Sequence, residues 1–326
     1  MAPRLSVTIL NYNYGHYLAE CIDSILAQTF EDFELFVIDD CSSDGSVELI
    51  TSYSDPRVRP IIHEQNLGFL GSLVQGTEEL STGEYVAVVS ADDFVVRPDA
   101  FERQVAMLDE HPDVGYCFTG FEIIRPGEST QHASFEHDTV LGPEAAFDEI
   151  LMARGVWPAH SGTVIRRSSY DAVGGYRRDI SMPVDLALWF DLSRTGGLAY
   201  AAVCGHSWRL HGDQMTTSKT QLNLREIAQV VTEACEQGER AGFGTGGLTR
   251  RAIGAHFGAF AVTEAYGGSR REALRRCWAA VRECPVPALT SKRIWVACVR
   301  ALLGERLTGA IAGVLRVPRS IARSSS

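Results

Sequence analysis

The sequence predicts an α/β fold: a mostly parallel, doubly wound central sheet flanked by helices, followed by a C-terminal helical extension. Three observations predict it. The run Leu5–Leu10 reads as a strand covered on both faces, and further apolar runs follow at Glu34–Ile38 and Tyr85–Val89. Segments of helical period separate them, giving a β-α-β-α-β-α-β order. Beyond Gln221 strand signals fade and amphipathic helices take over.

Leu5–Leu10 is the first strand, and Leu18, Cys21, Ile22, Ile25 and Leu26 recur at helical spacing in Tyr17–Gln28. Glu34–Ile38 is the second strand. Asp44 or Ser46 caps the next helix, which turns Val47, Leu49 and Ile50 inward. Val58–His63 is a short third strand, Leu70–Leu80 a helix stopped near Gly83, and Tyr85–Val89 the fourth strand. Asp99–Glu110 then reads as a helix, Val114–Phe121 as a strand and the polar stretch Arg125–Asp138 as an exposed loop. Ala145–Met152 reads as a helix, Gly162–Arg166 as a strand and Leu186–Arg194 as a helix ended by Gly196-Gly197. Leu198–Val203 and Ser207–Leu210 read as two strands. Four or five helices follow, broken at Gly238–Gly247, Gly267-Gly268 and Cys284–Pro287. The expected domains are 1–220, with parts over 1–98 and 99–220, and a helical extension over 221–326.

At 326 residues, 45% hydrophobic and 22% charged, the composition is that of a globular protein. The net charge of -11 is unevenly placed. Residues 247–326 hold 14 Lys and Arg against 4 Asp and Glu, while residues 1–246 hold 16 against 37. The acidic body lacks the basic footprint of a nucleic-acid binder. The basic tail suits either packing against that body or peripheral contact with an anionic membrane, and a homodimer is also compatible. The 8 cysteines show no CxxC spacing, so neither a zinc ribbon nor a disulfide scaffold is expected. No signal-peptide pattern and no apolar run of membrane-spanning length is found, and the expected location is cytoplasmic or peripheral to a membrane.

Three strands end in polar or acidic residues: Asn11-Tyr12, Asp39-Asp40 and Asp92-Asp93. In open α/β sheets, ligands bind beyond the carboxyl ends of the strands. Vicinal carboxylates after a buried strand suit Mg²⁺ or Mn²⁺ bridging to phosphate oxygens; an acidic helix-capping turn is the plainer alternative. GxGxxG after the first strand and Walker A are both absent, which leaves a nucleotide neutralised by metal rather than by a glycine nest. One of Asp39 and Asp40 suits a base N–H or a ribose hydroxyl, and Tyr12 suits stacking on a base. Asp185, at the start of the helix Leu186–Arg194, is either an N-cap or a general base. His211, opening the loop after Leu210, is either a metal or phosphate contact or an ordinary loop histidine.

These residues line up with a family pattern. SVTILNYNYGHYLAECIDSILAQTFEDFELFVIDDCSSDGS at 6–46, EQNLG at 64–68, STGEYVAVVSADD at 81–93, GGY at 174–176, VDLALWFDLSRTGG at 184–197 and WRLHGDQMT at 208–216 closely resemble the inverting GT-A glycosyltransferases of family 2. The resemblance covers roughly residues 4–217, and it implies that 1–98 is the nucleotide-binding part and 99–220 the acceptor-binding part. It implies that Asp40 contacts the nucleotide base, with Leu10 and Tyr12 lining that pocket. Asp92 contacts the donor's ribose or sugar region, Asp93 is the chief metal ligand, His211 approaches the metal or diphosphate, and Asp185 is the general base. The implied donor is a nucleoside-diphosphate sugar, a UDP-sugar favoured. The implied acceptor is a carbohydrate, a lipid-linked sugar or a small molecule. The Arg-Asn that many relatives carry after the third strand is replaced here by Gly71-Ser72-Leu73-Val74-Gln75-Gly76, which leaves the base open among uracil, guanine and thymine. A sugar nucleotidyltransferase and a catalytically inactive sugar-nucleotide-binding protein are the competing readings. The first expects a glycine-rich basic loop after strand one, which Asn11–Tyr14 does not supply.

Overall fold

The computed structural model describes residues 2–125, 127–211, 220–266, 270–283, 285–290, 294–295 and 298. By contact the chain divides into two compact units. The first comprises Met1–Ala146, Pro158–Arg178 and Asp191–Arg209; the second comprises Phe147–Trp157, Asp179–Phe190 and Leu210–Ser326.

The first unit holds the sheet. Its strands are β1 (Leu5–Asn11), β2 (Phe33–Asp39), β3 (Val58–Ile62), β4 (Tyr85–Ser90), β5 (Tyr116–Arg125), β6 (Glu128–His132), β7 (Thr139–Leu141), β8 (Thr163–Arg166) and β9 (Leu198–Arg209). The order is β3-β2-β1-β4-β8-β5-β9-β7, with β6 paired to β5. The first four strands are parallel, as the sequence predicts. The rest make the sheet mixed: β8 runs antiparallel to β4 and β5, while β5 and β9 are parallel. The helices of this part are α1 (Gly15–Leu26), α2 (Ser46–Ser52), α3 (Gly68–Val74), which continues as a π-helical turn over Gln75–Leu80, and α4 (Ala100–Glu110).

Every residue of β1 and β2 is buried, including Ser6, Thr8 and Glu34. The polarity of Ser6 and Glu34 is answered locally. Ser6 Oγ donates to Glu34 Oε1 at 2.7 Å and accepts from the Gly83 N–H at 2.8 Å, and Arg59 pairs with Glu34 Oε2 at 2.9 Å. The core on one face of the sheet packs Val7, Ile9, Leu35 and Val37 against Leu18, Ile22 and Ile25 of α1. On Gly76 a Cβ would stand 2.4 Å from Thr8 Cγ2, so only glycine lets that turn approach the sheet.

Two expectations are corrected. The stretch Arg125–Asp138 is not all loop: β6 forms a hairpin with β5, Phe121 opposite His132 and Arg125 opposite Glu128. Its polarity is that of a lateral strand with little burial on either face. Likewise Leu198–Val203 and Ser207–Leu210 are one strand, β9, whose pairing with β5 shifts register around Gly120; the polar break in the sequence is a bulge, not a chain reversal. The short β7 and the helix α6 (Arg167–Val173) carry no sequence signal that stands out.

The second unit is helical. It includes most of α5 (Pro143–Leu151), the first half of α7 (Val184–Gly196), then α8 (Thr220–Arg240), α9 (Thr249–Tyr266), α10 (Arg270–Glu283) and α11 (Pro285–Thr290). Its core is aromatic: Phe147 lies 5.5 Å from Phe190 and 5.6 Å from Phe243 between ring centroids, with Trp189 and Phe257 fully buried. Among the described residues no helix is long and apolar enough to cross a membrane.

Candidate active site

Parallel register brings three strand ends to one edge of the sheet: Asn11 stands beside Asp39, and Leu10 beside Ser90. The ends of β1 and β2 are tied by side chains. Asn11 Nδ2 donates to Asp39 Oδ2 at 2.7 Å, and Asp39 Oδ1 accepts from the Ser42 N–H at 2.9 Å. The Asn13 N–H donates to Ser42 Oγ, and Asn13 Oδ1 accepts from the Ser43 N–H. Asn13 (φ 59°) and Cys41 (φ 67°) both adopt the left-handed region, so strain is concentrated where the two loops leave the sheet. Asp39 is thus a structural knot.

Asp40 is the gathering point of the adjoining loop. Its Oδ1 accepts from the Leu67 N–H at 2.7 Å and faces His63 Nδ1 at 2.9 Å; its Oδ2 accepts from the Gly68 N–H at 2.8 Å. His63 Nε2 in turn meets the Gln75 amide oxygen at 2.7 Å. A carboxylate offers about four acceptor positions, so the loop contacts leave room for one more donor. Leu67, whose N–H binds Asp40, and Tyr12, which follows the last residue of β1, are half exposed, at 50% and 51%, whereas Leu10 is buried at 9%.

Asp92 and Asp93 follow β4, and both are buried. Asp93 Oδ2 accepts from the Ser161 hydroxyl at 2.6 Å, and its Oδ1 from the Arg209 N–H at 3.0 Å. The Ser90 N–H donates to the same Ser161 Oγ at 3.2 Å. Burial, and then the neighbouring Asp92, push the Asp93 carboxyl well above the usual carboxylate range; the Ser161 and Arg209 contacts oppose this in part. The same two carboxylates help raise the buried Cys21 thiol, whose own burial is the larger cause. The Arg209 guanidinium lies 4.8 Å above the Tyr17 ring and 4.9 Å from that of Phe94, and pairs with Glu20 at 2.5 Å. Among the described residues, no three His, Cys, Asp or Glu side chains form a group able to hold a metal by themselves.

Ser161 is placed by packing. It sits in a one-turn 3-10 segment, His160–Gly162, and a Cβ on Gly162 would stand 1.9 Å from His206 Nδ1. His206 is fully buried, its Nδ1 3.2 Å from Thr119 Oγ1, and burial pushes its imidazole down to about 3.

In the second unit, Asp185 is half-buried in the first turn of α7. The sequence places it just before the helix; the helix instead begins at Val184, and Asp185 Oδ1 accepts from the Leu186 N–H at 2.8 Å. Glu226 of α8 clamps the turn that leads into α7, accepting from the Ser181 and Met182 N–H groups at 3.0 and 2.8 Å through Oε2. His211 is half-buried, and the rest of its loop, 212–219, lies outside the described residues. Nothing in the sequence singles out Ser161, Arg209 or Glu226, because each acts through contacts made far along the chain.

Residues 6–174 match the family described as Glycosyl transferase family 2. An uncharacterized glycosyltransferase of Haemophilus influenzae is 30% identical over 221 residues, 66% of this chain and 68% of its own. Among solved structures, S. aureus TarS 1–349 in complex with UDP-GlcNAc superposes with a TM-score of 0.56 at 15% identity, over 92% of both chains. The mannosyltransferase PcManGT from Pyrobaculum calidifontis, in complex with GDP-Man and Mn2+, gives 0.52 at 17% identity, over 93% of this chain and 88% of that one. The two structures share the fold with this chain, and the sequence match over 6–174 places the chain in glycosyl transferase family 2.

Proposed function

We propose that this chain is an inverting, divalent-metal-dependent glycosyltransferase, within the family's general activity of moving a sugar from a nucleoside-diphosphate sugar to an acceptor. The observation that carries the reading is the Asp92-Asp93 pair, buried at the edge where β1, β2 and β4 end, with Asp93 oriented by Ser161 and by the Arg209 N–H.

The residues present fit a divalent cation. Two buried adjacent carboxylates, one held above its usual range, form a site whose charge a cation relieves. With fewer than three clustered protein ligands, the remaining positions fall to phosphate oxygens and water, the habit of Mg²⁺ and Mn²⁺. Asp93 would hold the metal, with Asp92 toward the donor's ribose or sugar and His211 toward the metal or diphosphate. When bound, the ion supplies charge stabilisation for the departing diphosphate. Asp40 takes a base N–H with its remaining acceptor position, between Tyr12 and Leu67. That fits a UDP-sugar, though other bases with an N–H meet the same requirement. Asp185 takes the proton of the acceptor hydroxyl, whose oxygen bonds to the anomeric carbon as the bond from that carbon to the diphosphate oxygen breaks. A single displacement inverts the configuration.

A sugar nucleotidyltransferase would need cations for a triphosphate near β1, and Asn11–Gly15 carries none. Calorimetry of UDP-, GDP- and dTDP-sugars with Mn²⁺, beside an assay for free nucleoside diphosphate, tests the reading. Donor binding with metal-dependent release of nucleoside diphosphate is expected. Binding without any release would favour the inactive sugar-nucleotide-binding protein, and release of pyrophosphate from a nucleoside triphosphate and a sugar phosphate would favour the nucleotidyltransferase.

A further inference from the structure

Helix α10 has the sequence RREALRRCWAAVRE, with five arginines against two glutamates. Arg271, Arg275, Trp278 and Arg282 are spaced four, three and four residues apart, and all are exposed. At 3.6 residues per turn they fall within about 60° of one another. Cys277 and Ala280, on the other side of the helix, are buried at 3% and 1%. Trp278 is 69% exposed, an unusual setting for the largest apolar side chain. Trp295, which follows the Ile294 whose carbonyl lies 3.9 Å from the Cys277 thiol, is a second tryptophan of this part of the chain left exposed, at 53%.

We propose that this stripe of α10 is a docking surface for an anionic lipid bilayer, on which the protein sits peripherally. The inference does not depend on the donor-site reading. Indole rings favour the boundary between headgroups and acyl chains, and arginines on either side of one meet lipid phosphates. The charge is complementary beyond the stripe, since residues 247–326 carry 14 Lys and Arg against 4 Asp and Glu. A second copy of the chain is a poorer occupant, because a two-fold contact centred on the stripe would set arginines against arginines. Nucleic acid would supply phosphates but offers a buried tryptophan little in a duplex, and the chain as a whole carries a net charge of -11.

The test is flotation of the full-length protein with phosphatidylcholine vesicles and with the same vesicles containing phosphatidylglycerol, at low and physiological salt. Indole emission is recorded in parallel. Flotation with the anionic vesicles only, weakened by salt and accompanied by a blue shift, is expected. Arg271→Gln and Arg275→Gln should each lower partitioning about fivefold. Trp278→Ala should remove most of the blue shift while leaving donor turnover and the circular dichroism spectrum unchanged. Equal flotation with neutral vesicles, no flotation of folded wild-type protein, or undiminished flotation of a folded triple variant with Trp278→Ala, Arg275→Gln and Arg282→Gln would overturn the proposal. So would a shift from dimer to monomer caused by Trp278→Ala in light scattering without vesicles, or retention of an oligonucleotide in place of lipid.

Discussion

Asp93 receives one hydrogen bond from a side chain and one from the backbone, and both donors come from distant parts of the sequence. Such a carboxylate has little freedom to turn away, which is what a metal ligand needs. Asp40 illustrates how one residue serves two ends. Its contacts with His63 and with the Leu67 and Gly68 N–H groups hold the loop in place, and its last acceptor position is the one proposed for the base. Asp40→Ala should therefore weaken UDP binding by about 1–3 kcal/mol, the cost of leaving donors unmatched; unchanged affinity in calorimetry would remove Asp40 from the base site. Asp185 is the proposed general base. Asp185→Asn keeps an acceptor for the Leu186 N–H, so the variant should fold and bind donor as the parent does. Transfer should fall by about 10²–10⁴-fold. Wild-type transfer by a folded Asp185→Asn protein would reduce Asp185 to a helix-terminal acceptor. The aspartates were legible in the sequence because each follows a strongly apolar strand or opens a long helix. Ser161 and Arg209 were not, since a serine before a short strand and an arginine near a strand end look the same whether or not a carboxylate waits across the fold.

At the level of elements, the edge that carries Asp93 is held by packing that the sequence does not announce. Gly162 lies against the ring of His206, and its neighbour Ser161 thereby reaches both Ser90 and Asp93. Gly162→Ala must displace that ring or the 3-10 turn; a loss of about 1–3 kcal/mol of stability is expected, with a larger loss of activity than of fold. Measuring denaturant unfolding beside donor turnover separates the two. His206 also sets an acid limit. Burial holds it neutral, so its proton affinity is lower folded than unfolded. Its contribution is complete above about pH 6.5 and is lost as pH falls toward 3, because the unfolded chain takes up the proton first. Between those values the stability difference between wild type and His206→Asn should shrink by about 1.4 kcal/mol per pH unit. A constant difference would show that His206 titrates normally. The four parallel strands and their helices were plain in the sequence, where apolar runs are long and helices periodic. The hairpin of β5 and β6 was hidden by the polarity of a weakly buried strand, and the single β9 by its bulge.

Across the whole molecule, charge is segregated along the chain: the strongly acidic part includes the sheet unit that carries Asp40, Asp92 and Asp93, and the basic part includes the helices α9, α10 and α11. An acidic edge proposed to take an anionic donor calls for a cation between them, so metal dependence is the claim on which the proposal turns. Without metal, Asp93→Asn should melt at a higher temperature than wild type, because a buried like-charge pair has been relieved. Turnover should behave in the opposite way. The decisive measurement is release of nucleoside diphosphate from the best-bound nucleotide sugar by wild type and Asp93→Asn, each in Mn²⁺ and in excess chelator. Wild type should turn over only with Mn²⁺, and Asp93→Asn should be slow in both. Full wild-type turnover in chelator, or an Asp93→Asn protein as active as wild type with Mn²⁺, would contradict the assignment of this edge as the metal-assisted transferase site.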